Sequence, residues 1–169
     1  IAPGTWPDCD MIPLGRISIR GERGEDRMTR LAPEEQYTLM TLFTIFRSPL
    51  MFGGDLPSND GFTQSLLTNE EVLRMHREST GVRQLFNEDG KAAITSHNPD
   101  TGEVYLALFN LGNDVPAGIT VGLSELGIPG SAVVTELWQG TDMGSTASEV
   151  SATLEPHSPA LYKPRPLPN

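Results

Sequence analysis

Two structural classes follow one another along this sequence: an α/β half, residues 1–80, and an all-β half, residues 81–169. Three observations predict this order. A proline and two acids open a helical pattern at Pro33, and a short apolar run at residues 50–52 then stops at two glycines and an acid. From Val82 onward the apolar segments become short, alternate with polar residues and are separated by turns, which is typical of antiparallel sheets.

The composition indicates a folded protein and argues against several functions. The chain has 169 residues, of which 37% are hydrophobic and 20% charged, enough for a sizeable core in one domain or two small ones. The net charge of −10 argues against a surface for nucleic acid or anionic membranes, because no basic patch exists to neutralise phosphates. With one cysteine and three scattered histidines, the sequence predicts neither an internal disulfide nor a metal site, and we expect no cofactor.

The stretch from Trp6 to Met11 holds the densest set of potential site groups: two carboxylates, a thiol and an indole within six residues. Prolines lie on both sides of its centre, so we predict a loop rather than a helix interior. Asp8 and Asp10 are two residues apart, and their side chains point the same way if the segment is extended.

Residues 16–30 mix arginines, acids and glycines, which is typical of a solvated loop; a loop that gates substrate access is the alternative. A helix is predicted from Pro33, with apolar residues at helical spacing on more than one face as far as Phe46. A helix this apolar is expected to be covered on two sides. Ser48 and Pro49 end it.

The apolar run at residues 50–52 ends at two glycines and Asp55, a pattern that resembles the active end of a strand in an α/β barrel. A short helix is predicted over residues 62–67, and a capping box at residues 68–71 begins another at about Asn69. Because a (β/α)8 barrel needs eight strands and about 250 residues, residues 1–80 are expected to form only the last part of one.

The second half is predicted to form an antiparallel β-sandwich of about six strands. A strong hairpin signal at residues 98–102 separates two strands, over residues 91–96 and 103–110. The second of these is apolar on both faces, as a central strand would be. Further elements are predicted at residues 119–121, 123–127 (one helical turn), 132–138, 150–154 and 160–162, followed by a proline-rich tail.

Several of these segments resemble one known family. Residues 4–11 are similar to a Gly-Gly-Trp-Asn-Asp-Pro-Asp-Met segment, with Thr5, Pro7 and Cys9 in place of a glycine, an asparagine and a proline. That segment is found in glycoside hydrolase family 27, the α-galactosidases or melibiases. Further segments resemble the family's following helix, last barrel strand, final helix and paired β-domain signatures: residues 36–46, 48–56, 67–73, 136–140 and 154–158.

The resemblance implies the C-terminal portion of a longer enzyme, with the end of a (β/α)8 barrel followed by a β-sandwich. It implies retaining hydrolysis of terminal α-linked galactose in oligo- or polysaccharides, with both catalytic aspartates upstream of Ile1. Asp10 and Met11 then line the sugar pocket, no catalytic residue lies in this chain, and the chain alone is expected to be inactive. The implied partners are an α-galactoside or related sugar and the remaining barrel, and the implied location is secreted or periplasmic.

Physical reasoning also limits what the loop can do. Retaining glycosidases need two carboxyl groups about 5 to 5.5 Å apart on opposite sides of the scissile bond, whereas Asp8 and Asp10 lie on one short loop. Asp8 is expected to hold the loop by accepting from backbone amides, and Asp55 is a candidate supporting group at the same rim. Trp6 either stacks on a sugar or is a buried structural side chain, and Cys9 is interpreted as a small buried residue.

Two other functions stay open. A non-catalytic carbohydrate-binding or structural β-domain fragment would use Trp6, Trp138 and Tyr162 as its stacking candidates. A related enzyme acting on β-arabinopyranosides or α-N-acetylgalactosaminides would differ in residues that the resemblance places upstream. In each case residues 1–80 are expected to expose apolar flanks, and to need the missing barrel or a partner chain in order to be ordered.

Overall fold

The computed structural model describes residues 4–167. From the sequence, residues 1–3 are interpreted as the tail of a strand, and they lie outside the described residues. Within this range the helices are Pro33–Ile45 (α1), Gly61–Leu67 (α2) and Glu70–Glu78 (α3). The strands of the first half are Met11–Ile12 (β1), Arg16–Ile17 (β2), Arg27–Met28 (β3) and Met51–Phe52 (β4). Those of the second half are Thr80–Glu88 (β5), Lys91–His97 (β6), Val104–Asn110 (β7), Ala117–Gly122 (β8), Ala132–Glu136 (β9), Thr141–Thr146 (β10), Glu149–Leu154 (β11) and Pro159–Pro166 (β12).

The second half is an antiparallel β-sandwich, as predicted. Six strands form one sheet in the order β10-β9-β12-β7-β6-β5, and β8 and β11 form a second, two-stranded sheet. Between the sheets lies a core that includes Leu106 and Leu108 of β7 and Ile119 and Val121 of β8. The predicted helical turn is present as a 3-10 turn over Leu123–Leu126.

Helices cover the outer face of the six-stranded sheet. Tyr105, Ala107 and Phe109, which alternate along β7 with the inner residues, pack with Ile45 of α1 and Met75 of α3 in a second core. Both faces of β7 are therefore buried, which explains why the strand shows no polar alternation. This core joins residues on both sides of position 80, where β5 begins; the division into two domains there stays a prediction.

The first half contains a parallel pair of strands with helices packed beside it. β1 pairs with β4, so that Met11 lies opposite Met51. A third core holds this pair against α1 and α2 and includes the buried side chains of Ile12, Met40 and Leu66. Parallel strands with helices alongside are the arrangement expected of a barrel segment. None of the helices within residues 4–167 is long and apolar enough to cross a membrane.

α1 is covered on two sides, as predicted. Met40 and Phe43 pack in the third core, whereas Ile45 packs in the core under the sheet. Thr41 is fully buried between them and accepts a hydrogen bond from Nε1 of Trp138 at 2.9 Å. The helix is thus the element that connects the parallel strand pair with the sandwich.

The sequence pattern did not predict two strands of the large sheet, β5 and β10, which are its two edges. All residues of β10 except Thr146 are exposed, so this strand has no apolar alternation to detect. β5 pairs with β6 through two register shifts, which interrupt its periodicity. Among the described residues the second half therefore has eight strands instead of about six.

The prediction of a proline-rich tail is wrong for the residues up to Pro166, because these residues belong to β12. β12 pairs with β7 only as far as Tyr162 and continues along β9 to Pro166. Pro164 and Pro166 therefore lie where one side of the strand is open, which is where a sheet tolerates proline.

Two loop predictions differ from the structure in detail. Residues 16–30 are not a plain loop, because β2 and β3 form a short antiparallel hairpin within them. α3 begins where it was expected, but its capping side chain is Asn69 rather than Thr68. Asn69 Oδ1 accepts a hydrogen bond from the backbone N–H of Val72 at 3.1 Å.

A network of ion pairs adds to the contact between α3 and the sandwich. Arg74 donates from Nη1 to Glu103 Oε2 at 2.6 Å, and Lys163 donates from Nζ to Glu71 Oε2 at 2.6 Å. The hydrogen bond from Arg74 lowers the pKa of Glu103 to about 2. Burial, followed by the charge of Glu103, raises the pKa of Tyr105 to about 12.

Candidate functional site

The loop before β1 is held by its own two carboxylates. Asp8 Oδ1 accepts a hydrogen bond from the N–H of Asp10 at 2.9 Å, and Asp10 Oδ1 accepts from the N–H of Met11 at 2.8 Å. Asp10 has a φ of 67°, in the left-handed region that aspartate tolerates better than most residues. The segment is therefore a turn and not the extended strand that the alternation argument assumed. The contact made by Asp8 is the one expected of a residue that holds a loop.

The centre of the loop is anchored on the ends of α1 and α3. The N–H of Cys9 donates to Ser48 Oγ at 2.9 Å, and the carbonyl oxygen of Ser48 lies 2.8 Å from Nε2 of His76. Ser48 is fully buried, and burial lowers the pKa of His76, so the ring is neutral near pH 7. Cys9 is half-buried against the third core and is a free thiol. These contacts fix the backbone immediately before Asp10.

Trp6 is half-exposed, with 51% of its surface accessible. The guanidinium carbon of Arg47 lies 5.8 Å from its ring centroid, within the range of a cation–π contact. Arg47 is itself held by the carbonyl oxygens of His76 and Arg77, each at 3.0 Å. The interpretation of Trp6 as a buried structural side chain is therefore wrong. One face of its indole contacts the guanidinium of Arg47, which is held in place.

Met11 lies on the surface beside Gly53, the residue that follows β4. Its side chain is 49% exposed, and a Cβ on Gly53 would come within 3.2 Å of the Met11 Cβ and 3.3 Å of its Sδ. A side chain at residue 53 would therefore have to push Met11 back by a few tenths of an ångström. Met51, the register partner of Met11, is 61% exposed, so the parallel pair carries two accessible methionines side by side.

Asp55 lies just beyond β4 and lines a cavity of about 380 Å³. Its N–H donates to the carbonyl oxygen of Arg16 at 2.8 Å, and its Oδ2 accepts from Ser58 Oγ at 2.7 Å. The cavity lies between β4's end and the β2–β3 hairpin and is lined by Arg16, Ser18, Ile19, Arg20, Glu22, Gly53, Gly54 and Asp55. For the hairpin the sequence indicated a solvated loop, with a loop that gates substrate access as the alternative, and it singled out no individual site residue there.

The structure brings the candidate residues into two neighbouring groups. Met11 packs against Gly53, and Asp55 lies two residues further on, in the cavity. Asp10 and Met11 do not line that cavity; they lie on the adjoining exposed surface. Asp8 and Asp10 each keep one carboxylate oxygen that makes no hydrogen bond with a described residue, so each can accept from a ligand hydroxyl. Residues 4–167 contain no group of three or more ligands arranged for a metal ion.

The other stacking candidates have structural contacts. The Trp138 ring lies 5.2 Å from that of Tyr37 in an edge arrangement, and its Nε1 is bonded to Thr41. Tyr162 is 5% exposed within the sandwich core. Among the three aromatic residues proposed for a sugar-binding module, only Trp6 presents a large accessible surface.

The comparisons with known proteins concern both halves. Residues 89–163 match the family model of the alpha galactosidase C-terminal beta sandwich domain. The chain is 28% identical over 163 residues to Alpha-galactosidase 2 of Arabidopsis thaliana, covering 95% of this chain and 38% of that protein.

Two solved structures are more similar in sequence. The crystal structure of a GH27 β-L-arabinopyranosidase from Geobacillus stearothermophilus is 43% identical, with a TM-score of 0.92 over 98% of this chain and 38% of that one. A variant of that enzyme in complex with arabinose is 42% identical, with a TM-score of 0.93 over 99% of this chain and 39% of that one. The chain thus spans about two fifths of the length of these relatives.

Proposed function

Because this chain belongs to glycoside hydrolase family 27 and corresponds to the C-terminal part of its enzymes, we propose that the complete protein is a retaining glycosidase. Its proposed substrates are oligo- or polysaccharides with terminal α-linked galactose. In this proposal the 169 residues supply one wall of the sugar pocket, and the remaining barrel supplies the nucleophile and the acid/base. The secreted or periplasmic location expected from the resemblance is part of the same proposal.

The observation that supports this role best is the anchored Asp10–Met11 turn. The hydrogen bonds from the Cys9 N–H to Ser48 Oγ and from the Asp10 N–H to Asp8 Oδ1 fix the backbone. Asp10 retains one carboxylate oxygen, and Met11 an exposed side chain. A charged acceptor beside an apolar surface suits a sugar, which has both hydroxyl groups and an apolar ring face. Pre-organisation of such a wall is what a glycosidase needs in order to orient its substrate.

The described residues support a binding role for the loop rather than bond chemistry. Two carboxylates that act as nucleophile and acid must flank the scissile bond about 5 to 5.5 Å apart. Asp8 and Asp10 instead lie in the same turn, and each already accepts a backbone hydrogen bond. The proposal therefore assigns hydroxyl recognition to Asp10 and maintenance of the loop to Asp8.

A β-L-arabinopyranoside is the second candidate substrate. The identity of 43% to a β-L-arabinopyranosidase exceeds the 28% identity to the Arabidopsis α-galactosidase. The two sugars share the pyranose ring and the configuration of its hydroxyl groups, and they differ by the hydroxymethyl group at C5. Asp10 can therefore accept hydrogen bonds from the hydroxyl groups of either sugar.

The test compares the complete protein with the 169-residue chain on p-nitrophenyl α-galactoside and p-nitrophenyl β-L-arabinopyranoside. We expect the complete protein to hydrolyse at least one of them and the chain alone to hydrolyse neither. In the complete protein, Asp10→Asn should lower kcat/KM roughly 10- to 100-fold, because it removes a charged hydrogen-bond acceptor. The asparagine keeps an oxygen for the Met11 N–H and tolerates the left-handed backbone.

Asp114→Asn is the matched control, since Asp114 is exposed on a loop of the sandwich. It should leave kcat/KM unchanged. Turnover by the isolated chain that disappears on Asp10→Asn would contradict the proposal, and so would an unaltered kcat/KM for Asp10→Asn in the complete protein.

A further inference from the structure

Another cavity lies in the sandwich, where β10, at the edge of the large sheet, approaches β11 of the small sheet. The hydroxyl of Thr146 donates to the carbonyl oxygen of Glu149 at 2.6 Å and joins the two strands at this point. The cavity has a volume of about 190 Å³, and its lining includes Val134, Met143, Ser145, Glu149, Val150 and Tyr162. It shares no lining residue with the cavity at Asp55.

Tyr162 supplies the least exposed polar group of this lining. Its side chain is 5% exposed and packs in the core between the sheets with Leu106. Its hydroxyl group makes no hydrogen bond with any of residues 4–167, although the side chain lines the cavity. Burying a hydroxyl group without a partner costs free energy, so a ligand in the cavity that bonds to this hydroxyl would remove that cost.

A second tyrosine of the sandwich shows the contrast. Tyr105 is fully buried on the outer face of β7, and its hydroxyl donates to Glu103 Oε2 at 3.2 Å. Burial, followed by the charge of Glu136, raises the pKa of Tyr162, so this phenol also keeps its proton at pH 7. The proton of Tyr105 is bonded within the protein, whereas that of Tyr162 is available to a ligand.

The other polar groups of the lining suit a ligand that carries hydroxyl groups. Glu149 Oε1 accepts from Ser151 Oγ at 3.4 Å, and Glu149 Oε2 makes no hydrogen bond with a described residue. Among the described residues that line the cavity, Glu149 is the only charged one, so the lining disfavours an anion. The hydroxyl groups of Ser145 and Tyr162 both donate and accept, which matches ligand hydroxyl groups better than a cation.

A β-bulge in β10 adds an apolar surface to the cavity. The register with β9 shifts between Asp142 and Ser145, so that Met143 and Gly144 lie opposite one residue of β9. Gly144 has a φ of 81°, a conformation that glycine adopts without strain. Met143 is 55% exposed and lines the cavity together with two valines. Bulges of this kind re-aim side chains next to binding sites.

We propose that this cavity is a binding site for one uncharged monosaccharide unit, with Tyr162 and Glu149 as its hydrogen-bonding residues. An apolar surface beside hydroxyl and carboxylate groups matches a sugar ring, and the volume of about 190 Å³ limits the ligand to about one ring. The site belongs to the sandwich and is separate from the proposed sugar wall at Asp10 and Met11. It does not depend on the proposed glycosidase function.

The binding test uses the complete protein, with tyrosine labelled at the carbon that bears the hydroxyl group. The nuclear magnetic resonance signal that disappears in Tyr162→Phe then reports this cavity. D-galactose should shift that signal saturably, and D-galacturonate should bind at least about fivefold more weakly because its carboxylate repels Glu149. Glu149→Gln should weaken galactose binding about fivefold and reduce the difference between the two probes.

Two control variants separate this site from the rest of the protein. Asp10→Asn, at the proposed sugar wall, should leave the Tyr162 titration unchanged. Tyr105→Phe, which removes a bonded hydroxyl, should lower the melting temperature and also leave the titration unchanged. Tyr162→Phe should keep or raise the melting temperature, because its hydroxyl has no partner among the described residues.

A Tyr162 signal that galactose does not shift would overturn the site. A shift that Asp10→Asn abolishes would also overturn it, because the sugar would then act from the wall. If Tyr162→Phe lowered the melting temperature as much as Tyr105→Phe, a bound water would complete the hydrogen bonds of this hydroxyl, and the proposal would fail. Each of these results leaves the glycosidase function intact.

Discussion

The two halves of this chain differ in how completely they bury their own apolar surface. Both faces of β7 are buried, the inner face by the second sheet and the outer face by helices, and Leu106, Ala107 and Leu108 are fully buried. The parallel strand pair leaves Met11 at 49% and Met51 at 61% exposure. The closed half is a scaffold with a complete core. The open half presents the proposed sugar wall and leaves large apolar side chains accessible.

The helices reduce this difference between the halves. They lie in the open half of the sequence, but they also pack against the sandwich. Ile45 of α1 and Met75 of α3 are buried under the sandwich sheet. An apolar groove of about 350 Å³ remains on the other flank of α1, lined by Leu39, Leu42 and other residues. The open half is thus tied to the scaffold on one side and uncovered on the other.

The largest effect should follow from a cavity in the closed half. Leu106→Ala is expected to lower the free energy of unfolding by about 3 to 4 kcal/mol, because Leu106 is fully buried and its removal leaves a void. Met51→Ala, a similar truncation in the open half, should cost about 0.5 kcal/mol or less in the isolated chain. Urea denaturation followed by far-UV circular dichroism measures both. Comparable losses for the two variants would remove the distinction between the halves.

The next effect concerns the ion pairs that join α3 to the sandwich. The Arg74 hydrogen bond lowers the pKa of Glu103 from 4.5 to about 2, so its stabilisation is complete above pH 4.5 and is lost as the pH falls through 2. Glu103→Gln should remove about 2 kcal/mol at pH 7 and flatten this part of the pH dependence. Stability measured by urea denaturation from pH 7 to pH 2 tests this.

Glu88→Gln is the control for that series, because Glu88 is exposed and makes no ion pair with a described residue. The free energy of unfolding of the Glu88→Gln variant should fall with decreasing pH in the same way as that of the wild type. If the Glu103→Gln variant also lost stability at acid pH as the wild type does, the carboxylate at residue 103 would not be the group that links the halves.

A smaller effect distinguishes the two tryptophans. Trp138→Phe removes the hydrogen bond to the fully buried hydroxyl of Thr41 and should cost about 1 to 2 kcal/mol. Trp6→Phe keeps an aromatic ring over Arg47 at a half-exposed site and should cost less than about 0.5 kcal/mol. Thermal melts compare them directly. A larger loss for Trp6→Phe would show that the loop, and not the contact of α1 with the sandwich, limits stability.

The elements with strong local signals were predictable. Pro33 and the acids after it placed the start of α1, and the unbroken apolar run of residues 104–109 identified β7 as central. β10 was not predicted, because an exposed edge strand needs no apolar alternation. The β2–β3 hairpin was not predicted, because ion pairs rather than apolar residues hold it. The packing of helices against the outer face of the six-stranded sheet was not predicted, because no local pattern encodes it.

The geometry of the candidate site was predictable only in part, and its role stays a prediction. The density of site groups from Trp6 to Met11 indicated the loop, and the strand end indicated Asp55. The turn at Asp10 depends on its own side-chain hydrogen bonds, and the cavity depends on the hairpin at residues 16–30 approaching the end of β4. Such approaches between distant segments leave no periodic trace in a sequence.

Hydrogen exchange of the isolated 169-residue chain and of the complete protein tests the central claim, that a closed scaffold carries an open wall. In the isolated chain, amides of β6, β7 and β12 should exchange only through global unfolding, whereas those of β1, β4 and the Asp10 turn should exchange at least tenfold faster. In the complete protein, the same amides of β1 and β4 should become protected. Protection of β1 and β4 equal to that of β7 in the isolated chain would contradict the account.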